Sequence, residues 1–144
     1  MDGAASSEGT SLASELRQAL LAARVRDGNG PSALTARQAL WLGTRGGARC
    51  LGRDDETGAL RPCLLADVAL WRLDGLAHDA IAHGPGGGSS GDPIAALVLG
   101  PPAPLELLLV GGKPVVEGGE LRTVDAAVAT REVRAARQQL AGLR

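Results

Sequence analysis

The sequence predicts a mixed α/β fold with helices at both ends and a small antiparallel sheet between them. Three patterns carry that prediction. A leucine recurs at every fourth position near the N-terminus, two short apolar runs are joined by a glycine pair, and the last segment has one apolar and one arginine-rich face.

Taken in order, residues 1–10 are small and polar and read as a loop. Leu12, Leu16 and Leu20 then form one stripe of a helix expected from Leu12 to Arg26. Thr10 or Ser11 caps its start. Asp27-Gly28-Asn29-Gly30-Pro31 stops it, because Gly and Asn accept left-handed geometry and Pro cannot continue the hydrogen-bond ladder. A second helix opens at Thr35, where Thr35 and Gln38 have the spacing of a capping box and Leu34 can staple onto Ala39. Gly46-Gly47 is expected to end it, with a short helical turn from Ala48 to Leu51 beyond and a charged loop over Arg53 to Thr57.

From Gly58 onward the pattern is extended, and Asp67 to Leu73 and Leu105 to Val110 have strand length. Gly111-Gly112 suits a two-residue hairpin turn, since both positions tolerate positive φ, and returns Lys113 to Glu117 antiparallel to the preceding run. Gly118-Gly119 starts a second turn into Glu120 to Thr123. Asp125 caps a final helix whose Ala129, Val133, Ala136 and Leu140 share a face opposite Arg131, Arg134 and Arg137, and that apolar face is expected to pack on the rest. Residues 84–91 are too rich in glycine to bury anything and read as a flexible surface loop.

The 144 residues suffice for one domain, yet with no Phe, no Tyr and only Trp41 and Trp71 the core must be built from Leu, Val and Ala. Such a core is thin, and a partner surface would help it. Fifteen basic and sixteen acidic residues leave a net charge of −1, which argues against nucleic acid and membrane partners. The apolar runs are too short to span a bilayer, and the start has no basic signal-like segment, so a cytoplasmic location is expected. Cys50 and Cys63 have no metal-site or redox spacing and are expected to be reduced thiols.

Several local sequences point further. Asp2-Gly3-Ala4-Ala5-Ser6 precedes a helix; then come Ala33-Leu34-Thr35-Ala36-Arg37-Gln38-Ala39-Leu40, Thr44-Arg45-Gly46-Gly47-Ala48-Arg49, Leu51-Gly52-Arg53-Asp54-Asp55 and Gly58-Ala59-Leu60. Ala66-Asp67-Val68-Ala69-Leu70-Trp71, Asp92-Pro93-Ile94-Ala95-Ala96-Leu97-Val98 and Val110-Gly111-Gly112-Lys113-Pro114-Val115-Val116 follow in the same order. Together they resemble the C-terminal part of aminohydrolases of the amidohydrolase superfamily. With Asp74-Gly75-Leu76-Ala77 and Gly100-Pro101, they look closest to the 8-oxoguanine deaminase, hydroxydechloroatrazine ethylaminohydrolase and chlorohydrolase group.

The resemblance implies a fold: the C-terminal fragment of a (β/α)8 barrel, with the outer composite β-sandwich half and a terminal helix. A complete barrel needs about 250 residues, so most of it would lie outside this chain. On this reading residues 1–52 are the last barrel loop and helices, residues 53–124 the sandwich part with its glycine-rich loop 84–91, and residues 125–144 the C-terminal helix.

The resemblance also implies a chemistry. The complete enzymes hold a divalent metal, zinc or iron, on a His-x-His pair, further histidines and the Asp of the last strand. The metal makes hydroxide available for attack on an amino-bearing ring carbon, and that Asp carries a proton toward departing ammonia. Asp2 is the position matching that metal ligand and catalytic residue, and purine-like or triazine-like rings are the implied substrates. No His-x-His occurs here, so this chain alone is expected to bind no metal stably and to be inactive.

His78 and His83, five residues apart beside the Gly-Pro loop, are expected to be solvated surface histidines and not ligands. Asp54-Asp55-Glu56 is expected to be a solvated turn. Three positions depart from the family: Ser7-Glu8 stands where Asn-Asp is common, Cys63-Leu64 replaces a turn glycine and its neighbour, and the glycine insertion separates His83 from Asp92. A second reading is a noncatalytic interaction domain that binds another chain through the face a barrel would cover. On either reading Leu12, Leu16, Leu20 and Leu40 are expected to lose cover, which favours association with itself or with the missing barrel portion.

Overall fold

The computed structural model describes residues 11–28, 30, 33–83 and 91–142. Asp2, Ser7-Glu8 and the glycine run over 84–90 lie outside the described residues. In chain order the elements are α1 (Leu12–Asp27), α2 (Ala36–Trp41), a π-helical turn (Leu42–Gly46), α3 (Gly47–Cys50) and β1 (Val68–Trp71). There follow α4 (Leu76–Ala82), α5 (Pro93–Leu99), β2 (Leu105–Val110), β3 (Lys113–Glu117), β4 (Glu120–Leu121) and α6 (Ala126–Ala141).

The helix starts and stops follow local chemistry. α1 begins after an extended Ser11 and ends at Gly28, whose φ of 74° only glycine takes without strain and whose N–H returns to the Arg24 carbonyl. α2 opens on the capping box: the Gln38 N–H donates to Thr35 Oγ1 at 3.2 Å, and the Thr35 N–H donates to Gln38 Oε1 at 2.9 Å.

Gly46-Gly47, however, does not end this helix. The backbone passes through the π turn into α3 and stops only after Cys50, with Gly46 and Gly47 at ordinary helical φ of −62° and −61°. Gly46, like Gly43 before it, serves close approach and not termination, whereas a Cβ on Gly47 would meet only ordinary contact. A Cβ on Gly46 would lie 3.0 Å from the Trp41 ring, and one on Gly43 would lie 2.8 Å from Leu16.

The sheet is antiparallel throughout, in the order β1-β2-β3-β4. Both glycine pairs behave as their sequence requires: Gly111 and Gly112 have φ of 56° and 76°, Gly118 and Gly119 of 60° and 78°. β4 is shorter than expected and stops at Leu121. Asp67, just ahead of β1, accepts from the Gly111 N–H at 2.7 Å and from Thr57 Oγ1 at 3.0 Å, so one carboxylate ties the loop before β1 to the β2–β3 turn. The Gly111 amide first, and the Thr57 hydroxyl second, hold this carboxyl below its usual range.

Two helices interrupt the extended pattern expected from Gly58 onward. α5 has a legible start, since Asp92 accepts from the Ile94 N–H at 2.9 Å and Pro93 takes the first helical position. α5 brings Val98 against Leu20 of α1 and Ala36 and Ala39 of α2, and Leu34, Leu40, Ile94, Ala95 and Leu99 surround this cluster. The expectation that Leu20 loses cover is therefore wrong: it is fully buried in a core of small neighbours, and Leu16 and Leu40 are half-buried. Leu12 stays largely exposed.

α6 corrects the sequence in the other direction. Asp125 caps it as expected, accepting from the N–H groups of Ala127 and Val128 at 2.8 and 3.0 Å. Beyond its first turn its apolar face does not pack on the other described residues: Val128 and Ala129 are half-buried, no residue of the helix is buried, and Val133 and Leu140 are 60% and 67% exposed. An amphipathic stripe specifies that a helix wants a cover, not which chain segment supplies it.

Cys63 has a φ of 69°, the one non-glycine residue with positive φ among the described residues. It stands where the family resemblance expects a glycine. A β-carbon in this region costs about 1–2 kcal/mol, partly offset by the extra chain entropy glycine brings to the unfolded state. Cys63→Gly should therefore stabilise the chain by about 0.5–1 kcal/mol. A thermal unfolding midpoint that does not rise would show that the loop has no strain to relieve.

Candidate functional site

Asp2, the residue singled out for metal binding and catalysis, lies outside the described residues. His78, His83, Asp54 and Glu56 each have an ordinary structural partner. His78 corrects the expectation of a solvated loop residue. It sits inside α4 because Leu76–Ala82 is helical, and it is 5% exposed. Its Nε2 lies 3.0 Å from the Pro101 carbonyl oxygen. A carbonyl only accepts, so the ring carries a proton on Nε2 and donates it there. The fit around the ring is close: a Cβ on Gly100 would come within 3.1 Å of His78 Cδ2 and 2.3 Å of the Ala96 oxygen.

His83 follows α4 as its C-cap and is exposed, with Nδ1 3.0 Å from Asp79 Oδ1 one helical turn earlier. The two histidines thus belong to one helix, one turned into the interior and one to solvent. The usable signal was Gly75 ahead of a short helical run, together with Gly100-Pro101 placed to receive the imidazole.

The acidic turn is tied down by arginines. Asp54 pairs with Arg45 at 3.2 Å, and Arg45 also donates to the Asp54 carbonyl; Glu56 pairs with Arg53 at 2.7 Å. The Arg45 contacts fasten the 51–57 loop to the π turn before it, and the Arg53–Glu56 pair is internal to the loop. Cys50 and Cys63 are free and exposed.

Among the described residues no three His, Cys, Asp or Glu side chains come together as a metal site. The described donor set therefore does not fit a catalytic metal, which needs three or more protein ligands. No described helix is long and apolar enough to cross a membrane.

What the described residues do build is an apolar groove of about 200 Å³ where the helices meet β1. Its walls include Leu12 and Leu16 of α1, Leu40 of α2, Gly43 of the π turn, Trp71 of β1 and Leu97 of α5. Trp71 is 37% and Leu12 47% exposed, so the groove opens to solvent. No charged group lines it, and the hydroxyl of Thr44 in its wall donates to the Leu40 carbonyl at 2.8 Å, so the groove is suited to holding apolar side chains.

A family model described as "Amidohydrolase family" matches residues 1–115. The chain is 37% identical over 140 residues to an 8-oxoguanine deaminase of Pseudomonas aeruginosa, covering 97% of this chain and 28% of that protein. It is 33% identical over 135 residues to a 5-methylthioadenosine/S-adenosylhomocysteine deaminase of Desulforudis audaxviator, covering 91% and 28%. Among solved structures, atrazine chlorohydrolase TrzN from Arthrobacter aurescens TC1, complexed with zinc, superposes with a TM-score of 0.80 at 35% identity over 92% of this chain and 28% of its own. An adenosine deaminase from Xanthomonas campestris with bound zinc superposes at 0.83 and 27% identity, over 98% of this chain and 30% of its own. The chain thus spans under a third of the length of each relative.

Proposed function

From a chain that belongs to the amidohydrolase family, we propose the role of C-terminal part of a metal-dependent hydrolase of non-peptide C–N bonds, an aminohydrolase of purine-like or triazine-like cyclic amidines. The observation that carries this reading is the 37% identity to 8-oxoguanine deaminase along nearly the whole chain. Two zinc-containing relatives, a deaminase and a chlorohydrolase, support the same class. Residues 1–52 form the last barrel loop and helices, residues 53–124 the sandwich part, and residues 125–144 the terminal helix.

Asp2 is the chain's contribution to the metal and to proton transfer, and the other ligands to zinc or iron come from outside the described residues. The described residues act as scaffold. The Leu20 cluster fixes α1 against α2 and α5. A cytoplasmic location goes with this role. The second reading, a noncatalytic interaction domain, is favoured by one observation: the uncovered apolar stripe of α6.

A chimera tests the proposal. This chain is grafted in place of the matching segment of the Pseudomonas aeruginosa enzyme, and ammonia release from 8-oxoguanine is measured. Activity is expected, falling at least about 100-fold with Asp2→Ala, the scale of a lost general acid/base. The isolated chain is expected to give no turnover above a blank on 8-oxoguanine, guanine or hydroxylated triazines. Turnover by the isolated chain, or a folded chimera indifferent to Asp2→Ala, would overturn the assignment. A folded but inactive chimera would favour the interaction domain.

A further inference from the structure

Resting on the reading of this chain as the C-terminal part of an amidohydrolase, we infer that α6 docks on the remainder of such a polypeptide through Ala129, Val133, Ala136 and Leu140. Arg131, Arg134 and Arg137 stay in solvent. Positions 129, 133, 136 and 140 return to one side of the helix at intervals of four, three and four residues. None is buried by the described residues: Ala129, near the start of the helix, is half-buried, Ala136 is exposed, and the two largest, Val133 and Leu140, are mostly exposed.

A helix of 16 residues is near the length at which isolated helices are marginal in water, and most helical stability in proteins comes from packing an amphipathic face. The Asp125 cap helps start α6 but does not replace that packing. The stripe therefore calls for a surface that the described residues do not supply.

The identity of that surface follows from the relatives. The match to 8-oxoguanine deaminase covers 97% of this chain, and the superposition on the Xanthomonas campestris enzyme covers 98%, so both extend into α6. In each case the segment sits inside a polypeptide more than three times as long. α6 thus has the placement it has in a larger body, while the part of that body not matched by this chain is what remains to cover the stripe. The mode is a helix laid into a groove and read by its i, i+4, i+7 and i+11 anchors.

The experiment uses the purified chain and the Pseudomonas aeruginosa 8-oxoguanine deaminase truncated to lack the matching segment, with association followed by analytical ultracentrifugation and calorimetric titration. A 1:1 complex is expected, weakened about tenfold or more by Val133→Asp and by Leu140→Asp and changed less than about twofold by Arg134→Glu. Because none of these side chains is buried, each variant should keep the melting transition of the unmodified chain, which separates lost docking from lost folding. Adding back the relative's own matching segment confirms that the truncated partner is competent. A competent partner that ignores this chain overturns the proposal, as does binding indifferent to both aspartates. A homodimer of this chain dissolved by Val133→Asp assigns the stripe to a second copy and also overturns it. If the complex forms with the expected dependence but releases no ammonia from 8-oxoguanine, docking stands and the enzymatic reading fails.

Discussion

Leu20→Ala is expected to lower the unfolding free energy by about 3–5 kcal/mol, the upper part of the range for leucine truncations in cores. Leu20 is fully buried, and its neighbours in the cluster are Ala36, Ala39 and Val98. Alanines have no rotamers with which to fill a void, so the cavity persists and its cost adds to the lost transfer free energy. Small domains have total stabilities of about 5–15 kcal/mol, and this core is thin, so the variant should be largely unfolded in moderate urea. Leu21→Ala is the internal control. Its side chain is 42% exposed, and it should cost no more than about 1 kcal/mol. Denaturant midpoints by circular dichroism decide the matter: equal losses for the two variants would mean that α1, α2 and α5 do not form the stabilising core.

The second large effect belongs to Gly58. Its φ is 87°, and an added Cβ would sit 2.7 Å from Ala48 Cβ and 3.1 Å from both the Arg45 Cα and the Thr44 carbonyl oxygen. Backbone atoms cannot swing aside as a side-chain tip does, so Gly58→Ala combines positive-φ strain with forced separation of the 51–67 loop from the π turn and α3. A loss of about 2–4 kcal/mol is expected. Gly52→Ala separates the two contributions. Gly52 has a φ of 65° but open space where a Cβ would stand, so only the conformational cost of about 1–2 kcal/mol should appear. The difference between the two melting shifts measures the close approach. Were Gly52→Ala the more damaging, the contact at Gly58 would not be structurally significant.

The sequence was most legible where a local chemical device sets the backbone. Thr35 with Gln38, Asp125 and the two glycine pairs each act within a few residues, and each does what its residue type requires. It was least legible where tertiary contact decides. Gly46-Gly47 carries the usual helix-ending composition, but the need to pass close to Trp41 outweighs it. His78 resembles any exposed histidine until α4 turns it toward Pro101, a partner 23 residues away. Leu20 belongs to the same stripe as Leu12, yet α5, missed in an apparently extended region, covers only one of them. The functional class was legible through the order of local segments, not through a catalytic constellation: Asp2 stands alone in the reading, and the described residues add no ligand to it.

The order of the strands has a consequence for how fast the chain assembles. β2, β3 and β4 are joined by two-residue turns and form a meander whose contacts are all local; hairpins of this kind close in about 1–10 μs. β1 joins the same sheet only after the excursion over residues 72–104, which carries α4 and α5. Loop closure adds about 0.6 kcal/mol for each doubling of length, so this pairing starts at an entropic disadvantage of about 2–2.5 kcal/mol relative to a two-residue turn. Packing α4 against α5 first shortens the effective loop. The meander and the α4–α5 pair are therefore the early units, and β1, guided to register by Asp67 reaching the Gly111 amide, is the late one; the slowest kinetic phase should report on Trp71, the one tryptophan in the sheet.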